Sequence, residues 1–144
     1  MDPSSDTAPF PVSRLAAVGP GRSEGMKVLI VDDEPLIGYA LRSLVEQEGS
    51  EAVTTRTGEE GLRLLVEKKP DLVILDVHLP DANGVALLEE ILHMRPSTAV
   101  IIMTAAPDGQ DRDAAMKKGA LDYIVKPLSV DYLRSQLRKP AGDK

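Results

Sequence analysis

Short, nearly continuous apolar runs alternate along the chain with longer stretches whose apolar residues recur at helical spacing. The short runs predict five strands, at residues 27–31, 52–54, 71–75, 99–103 and 121–125. Continuous apolar runs are typical of strands buried on both faces, as in a parallel sheet that is covered by helices. The alternation therefore predicts an α/β fold.

An amphipathic stretch follows each predicted strand. Pro35 suits the first turn of the first helix, because its missing N–H would have no partner there, and Gly49 ends that helix. Thr57 and Glu60 have the spacing of a capping box and open the second helix. The remaining helices are predicted over 83–94, over 110–118 up to Gly119, and from Ser129 to about residue 139. Five such pairs, joined by right-handed crossovers, form a doubly wound (βα)5 parallel sheet.

The first 25 residues differ from the rest of the chain. They are rich in proline, glycine and serine and show no sustained period, which predicts a disordered N-terminal tail. A docking peptide built on the APFPV stretch at 8–12 is the alternative. One domain is predicted over 26–139, with a short C-terminal tail at 140–144.

Composition excludes several classes of function. The net charge of −6 argues against a surface that grips nucleic-acid phosphates directly. The chain has no cysteine, which excludes disulfides, thiolate metal sites and a cysteine nucleophile. No apolar run approaches the ~18 residues of a membrane span, and the N-terminus lacks the pattern of a signal peptide. A cytoplasmic protein that does not contact the membrane is predicted.

Polar residues follow four of the predicted strands. Asp32 and Asp33 come after the first strand, Asp76 after the third, Thr104 after the fourth and Lys126 after the fifth. Ligands of open parallel sheets bind beyond these carboxyl ends. The strand order 2-1-3-4-5, a common one for doubly wound sheets, would bring the three aspartates into one crevice with Thr104 and Lys126 on its far side.

Such a crevice needs positive charge. Two unit charges ~4 Å apart repel by about 4 kcal/mol at an effective dielectric constant of 20. Lys126 supplies one positive charge, and Mg²⁺ supplies two and prefers oxygen ligands. Carboxylates beside Mg²⁺ and an ammonium group suit phosphoryl transfer, in which an aspartate can itself be the nucleophile.

Four segments of the chain carry a family resemblance. VLIVDDEP, DLVILDVHLPDANG, VIIMTA and GALDYIVKPL resemble the signature segments of the response-regulator receiver domain, the CheY-like module of two-component signalling. The resemblance covers about residues 26–139 and implies a flavodoxin-like fold. It also implies that Mg²⁺ is the cofactor.

The resemblance implies roles for individual residues. Asp76 is the phosphoacceptor and a Mg²⁺ ligand. Asp33 binds Mg²⁺ directly, Asp32 binds it largely through water, and the backbone carbonyl of His78 is the third protein ligand. The side chains of His78 and His93 are expected at the surface.

The same resemblance assigns the other end of the crevice. Thr104 bonds a phosphoryl oxygen, and Lys126 forms an ion pair with it beside a cis Lys126–Pro127 bond. Tyr123 swings inward when the Thr104 hydroxyl is drawn to the phosphoryl group, or it is simply a half-buried edge-strand residue. Glu34 is interpreted as a helix N-cap or a solvated charge.

The resemblance also implies partners. A sensor histidine kinase or a phosphotransfer protein donates the phosphoryl group, and a target protein binds residues 110–139. A homodimer through the fourth and fifth helices is a further option. The domain is expected to catalyse only its own phosphorylation and dephosphorylation and to bind no nucleic acid directly.

Other functions fit less well. A flavodoxin-like electron carrier would place a phosphate loop where Asp32 and Asp33 stand, and aromatic residues are only 3% of the chain. A phosphohydrolase would require acids two apart after the first strand, whereas Asp32 and Asp33 are adjacent. Two alternatives stay open, an interaction-only receiver that is never phosphorylated and the receiver fragment of a larger transcriptional regulator.

Overall fold

The computed structural model describes residues 25–138. Its strands are β1 (Lys27–Val31), β2 (Glu51–Thr55), β3 (Leu72–Asp76), β4 (Ala99–Thr104) and β5 (Asp122–Val125). Its helices are α1 (Pro35–Gln47), α2 (Gly58–Lys68), α3 (Gly84–Met94), α4 (Gly109–Lys117) and α5 (Val130–Leu137). The predictions of a tail at residues 1–25, apart from Gly25, and of a C-terminal tail at 140–144 lie outside the described residues. The last helix, predicted to reach about residue 139, ends at Leu137.

The strands form one parallel sheet in the order β2-β1-β3-β4-β5. This confirms the predicted fold class and strand order. β1 and β3 are neighbours, so the residues that follow them meet at one edge of the sheet. In the register of β3 with β4, Asp76 lies opposite Met103, which places Thr104 one residue further along that edge.

Two hydrophobic cores cover the two faces of the sheet. Alternate strand residues point to opposite faces, so Leu29 and Val31 pack beneath α2, α3 and α4, whereas Val28 and Ile30 pack beneath α1 and α5. Both faces are therefore buried, which explains the continuous apolar runs of the sequence. The packing holds the strand ends rigidly and leaves their carboxyl edge open for chemistry.

Local signals fix most helix ends as predicted. Pro35 is in the first turn of α1. The Ser129 hydroxyl accepts a hydrogen bond from the Tyr132 N–H at 3.2 Å at the start of α5. Gly119 has the positive φ (106°) expected of a residue just after a helix. None of the helices within residues 25–138 is long and apolar enough to cross a membrane.

The predicted capping box of α2 is only half formed. Thr57 accepts a hydrogen bond from the Glu60 N–H at 3.2 Å, as expected. The Glu60 carboxylate, however, accepts a 2.6 Å hydrogen bond from the Thr55 hydroxyl at the end of β2. This short hydrogen bond to a charged acceptor is a strong one, so the Glu60 side chain ties α2 to β2.

Candidate functional site

The predicted site residues lie where the strand ends place them. Asp32 directly follows β1, Asp76 and Thr104 are the last residues of β3 and β4, and Lys126 directly follows β5. Asp32, Asp76 and Thr104 are 2%, 4% and 0% exposed. Three polar side chains that are buried at one edge of a sheet rarely have a purely structural role. Burial of a polar group costs free energy unless hydrogen-bond or charge partners offset that cost.

Lys126 is the partner that compensates for the buried acids. Its Nζ lies 3.0 Å from Asp32 Oδ2 and 3.2 Å from Asp76 Oδ2, and the side chain is only 7% exposed. Burial by itself would lower the pKa of Lys126, but the hydrogen bond to Glu34 and the charges of Asp32 and Asp76 outweigh it and hold this pKa above its ordinary value. Lys126 is therefore charged at neutral pH. The Lys126–Pro127 bond is cis, as the resemblance implies.

Asp32 is incompletely satisfied. Its Oδ1 accepts a hydrogen bond from the Glu34 N–H at 2.8 Å. Its Oδ2 is buried and accepts no hydrogen bond within the described residues, since the nearby Lys126 Nζ is close but poorly aligned. Burial raises the pKa of Asp32 despite the Glu34 N–H and Lys126, which both lower it. The site therefore has an oxygen that is oriented for a ligand.

Glu34 is a member of the site that the sequence interpretation missed. It occupies the N-cap position of α1, as expected, but its side chain makes no capping hydrogen bond. Instead, its Oε1 lies 2.7 Å from Lys126 Nζ. Carboxylate oxygens of Asp32, Glu34 and Asp76 lie within 4.8 Å of one another. The signal in the sequence is the position of Glu34, two residues after Asp32 at the carboxyl end of β1, whereas its contact with Lys126 depends on the fold.

Asp33 points away from this group. Its carboxylate is 46% exposed and lies 3.9 Å from the Arg56 guanidinium, whose Nε also donates to the Asp33 carbonyl at 3.3 Å. The structure thus does not bring Asp33 together with the other three acids. Its role as a direct Mg²⁺ ligand stays a prediction that requires its side chain to turn.

The loop after β3 is held from several sides. Asp76 Oδ1 accepts a hydrogen bond from the His78 N–H at 3.2 Å, and the Gly84 N–H donates to the Val77 carbonyl at 2.7 Å. Asp81 accepts hydrogen bonds from the first two backbone N–H groups of α2, at 2.8 and 3.0 Å, which lower the pKa of Asp81. The loop that carries Asp76 and His78 is therefore fixed to two helices. The side chains of His78 and His93 are exposed, as expected.

Thr104 and Tyr123 both contact the segment between β4 and α4. The Thr104 hydroxyl accepts a hydrogen bond from the Ala106 N–H at 3.1 Å. Tyr123 is 5% exposed, so it is buried rather than half-buried, and its switching role stays a prediction. Its hydroxyl accepts a hydrogen bond from the Asp108 N–H at 3.4 Å. A shallow groove of 210 Å³, which Tyr123 lines, opens between this segment and β5.

Comparison with known proteins identifies this arrangement. The family model described as the response regulator receiver domain matches residues 28–138. The chain belongs to the response regulator receiver domain family. The structure of a CheY-like response regulator receiver domain protein from Methanospirillum hungatei JF-1 is similar with a TM-score of 0.75 and 30% identity, covering 78% of this chain and 90% of that one.

Two curated relatives show how much of a longer protein the receiver domain represents. It is 36% identical over 115 residues to the probable C4-dicarboxylate response regulator DctR of Bacillus subtilis (strain 168), covering 78% of this chain and 51% of that protein. It is 39% identical over 111 residues to the transcriptional regulatory protein KdpE of Mycobacterium tuberculosis (strain CDC 1551 / Oshkosh), covering 77% of this chain and 49% of that protein. The chain thus spans about half the length of these relatives.

The receiver domain has a donor set that fits Mg²⁺. Three carboxylates meet one ammonium group, so the negative charges outnumber the positive charges. All candidate ligands are hard oxygens, which Mg²⁺ prefers. The buried Asp32 Oδ2 has no aligned donor among the described residues, and a cation would satisfy it. The charge and the donor chemistry are therefore those of a divalent hard-cation site.

Proposed function

We propose that this receiver domain is a phosphorylation-activated switch in which Asp76 accepts a phosphoryl group with the help of Mg²⁺. The observation that carries the proposal is the convergence of Asp32, Asp76 and Lys126 at one edge of the sheet, with their side chains buried. A sensor histidine kinase or a phosphotransfer protein is the donor. The phosphorylated domain then binds a target through residues 110–139.

Asp76 is the nucleophile of this reaction. A carboxylate oxygen of Asp76 attacks the phosphorus atom of a phosphohistidine, a P–O bond forms, and the P–N bond breaks with its electron pair left on the imidazole nitrogen. The His78 N–H and Lys126 hold the two oxygens of Asp76 at fixed distances, which orients the attack. Only a small part of Asp76, 4%, is exposed at the carboxyl edge of the sheet.

Charge neutralisation is the second task of the site. When bound, Mg²⁺ neutralises charge on the phosphoryl oxygens. Asp32 and Asp76 would hold the ion, joined by Asp33 and the His78 carbonyl as the family resemblance implies. Lys126 pairs with a phosphoryl oxygen, and the Thr104 hydroxyl donates a hydrogen bond to another. The domain thereby catalyses its own phosphorylation and its hydrolysis but transforms no external substrate.

The switch reaches the output surface through Thr104 and Tyr123. When Thr104 turns its hydroxyl toward the phosphoryl group, its bond from the Ala106 N–H is released. The segment that leads to α4 then moves, and the Tyr123 hydroxyl, bonded to the Asp108 N–H, moves with it. The groove beside Tyr123 would change shape as a result, and so would the surface that a target or a second copy of the domain contacts.

Intact mass tests the proposal directly. The domain is incubated with acetyl phosphate and Mg²⁺, beside Asp76→Asn, an EDTA control and Asp113→Asn, which removes an exposed aspartate of α4. We expect one added phosphoryl group in the wild type and in Asp113→Asn, and none in the other two samples. If the folded wild type gains no phosphoryl group, either from acetyl phosphate or from a phosphorylated histidine kinase, the interaction-only alternative replaces the proposal.

A further inference from the structure

Glu34 differs from the other two acids around Lys126 in its exposure. The Glu34 side chain is 58% exposed, whereas those of Asp32 and Asp76 are 0% and 6% exposed. Backbone N–H groups also hold one oxygen of each aspartate, at 2.8 and 3.2 Å. Within the described chain, the partner of the Glu34 carboxylate is Lys126. Glu34 is therefore the acid that can turn into water most easily.

The ammonium group of Lys126 is shared among several acids. It carries three N–H donors, and three carboxylates lie within 3.2 Å of its Nζ. A phosphoryl group on Asp76 would add strong anionic acceptors next to it. Lys126 donates hydrogen bonds to Glu34 and Asp76, so a phosphoryl oxygen on Asp76 would compete with Glu34 for the ammonium group. Displacement of the buried Asp32 would leave its charge unpaired, whereas displacement of Glu34 returns a carboxylate to water.

We infer that Glu34 is a positioning residue that holds the Lys126 ammonium group in the unphosphorylated domain and releases it when a phosphoryl group occupies Asp76. The inference rests on the proposed function. Glu34 and the phosphoryl group thus compete for one cation. A domain without this contact should bind phosphoryl groups on the same Asp76 more tightly than the wild type.

Beryllofluoride provides a test that does not depend on turnover. This anion binds to a carboxylate in the presence of Mg²⁺ with the tetrahedral shape of a phosphoryl group, and NMR spectra report its dissociation constant. An exposed ion pair is weak, so Glu34→Gln should bind beryllofluoride roughly two- to fivefold more tightly than the wild type. Glu34→Asp keeps the charge but is one methylene too short for the 2.7 Å contact, and it should show a similar gain.

Glu59→Gln is the matched control. It removes the same charge from an exposed glutamate in the first turn of α2, on the same edge of the sheet. Its affinity should equal that of the wild type. The inference is overturned if Glu34→Gln binds no more tightly than the wild type, if Glu34→Asp behaves as the wild type, or if Glu59→Gln reproduces the gain. A wild-type domain that takes neither beryllofluoride nor a phosphoryl group would instead refute the proposed function.

Discussion

Replacing Gly84 by alanine tests how closely α3 is packed against the backbone of Asp76 and Val77. Gly84 is the first residue of α3, and a Cβ added there would overlap the Asp76 carbonyl oxygen and lie 2.7 Å from the Val77 Cα. Both neighbours are backbone atoms of the segment that carries Asp76. They cannot turn aside as a side chain would, so the helix or the end of β3 must move.

The expected loss follows from two contributions. Overpacking of a tight contact costs about 1–3 kcal/mol, and weakening of the 2.7 Å hydrogen bond from the Gly84 N–H to the Val77 carbonyl costs about 1 kcal/mol. Alanine otherwise favours a helical position over glycine by about 0.4–1 kcal/mol. The free energy of unfolding of Gly84→Ala should therefore fall by about 2–3 kcal/mol.

Gly109→Ala is the matched control. Gly109 is also the first residue of its helix, α4, but apart from its chain neighbours and the backbone of its own helix, no described atom lies within 4 Å of the position of its Cβ. This variant should gain about 0.4–1 kcal/mol. Urea unfolding followed by circular dichroism measures both variants, and at a slope of about 2 kcal/mol per molar urea the Gly84→Ala midpoint falls by roughly 1–1.5 M. Equal midpoints for the two variants would refute the steric reasoning.

Three further predictions concern the charged groups. Lys126→Met should lower the free energy of unfolding by about 3 kcal/mol in EDTA, because two buried carboxylates lose their cation. Urea titrations should show a smaller loss of this free energy in Mg²⁺. A loss in Mg²⁺ equal to the loss in EDTA would contradict the prediction. Asp32→Asn should stabilise the domain at pH 7, because burial raises the pKa of Asp32 in the folded state. That gain should shrink as the pH falls through the raised pKa, and a destabilised variant at pH 7 would contradict it. Glu48→Gln should destabilise the domain at neutral pH, because hydrogen bonds from Arg134 and, to a lesser extent, Arg138 lower the pKa of Glu48. Above pH 4.5, the ordinary pKa of a glutamate, the urea midpoint of Glu48→Gln should be lower than that of the wild type. The two midpoints should converge as the pH falls through the lowered pKa of Glu48 in the folded domain.

The sequence predicted the scaffold well because the scaffold depends on patterns that are local. A buried parallel strand must be apolar on both faces, so strands such as β3 are visible as continuous runs. Prolines, glycines and hydroxyl caps mark helix ends for equally local reasons. The strand order came from what is common in doubly wound sheets, and it placed Asp32, Asp76 and Lys126 at one edge.

Side-chain directions were not predictable in the same way. Glu34 was interpreted as a cap or a solvated charge, yet it contacts a lysine 92 residues away. Glu60 fits a capping box by spacing but binds Thr55 instead. Asp81 caps a helix that begins 23 residues earlier in the chain. Each choice depends on which competing donor the fold brings near, and spacing along the sequence carries no information about that.

Asp32, which follows β1, and Asp76, which ends β3, are unfavourable for the stability of the unphosphorylated, metal-free domain. This cost is physically consistent with their proposed role. Burial raises the pKa of Asp32, one of its oxygens lacks an aligned donor in the described structure, and a single ammonium group faces three carboxylates. A site whose charges were already balanced would gain little from a metal ion or a phosphoryl group. Because the charge is unbalanced, binding of Mg²⁺ would stabilise the folded domain by mass action. Under the proposed function, phosphorylation would redistribute the contacts of Lys126 rather than create a new set, so a small change at Asp76 would move the neighbouring strand ends.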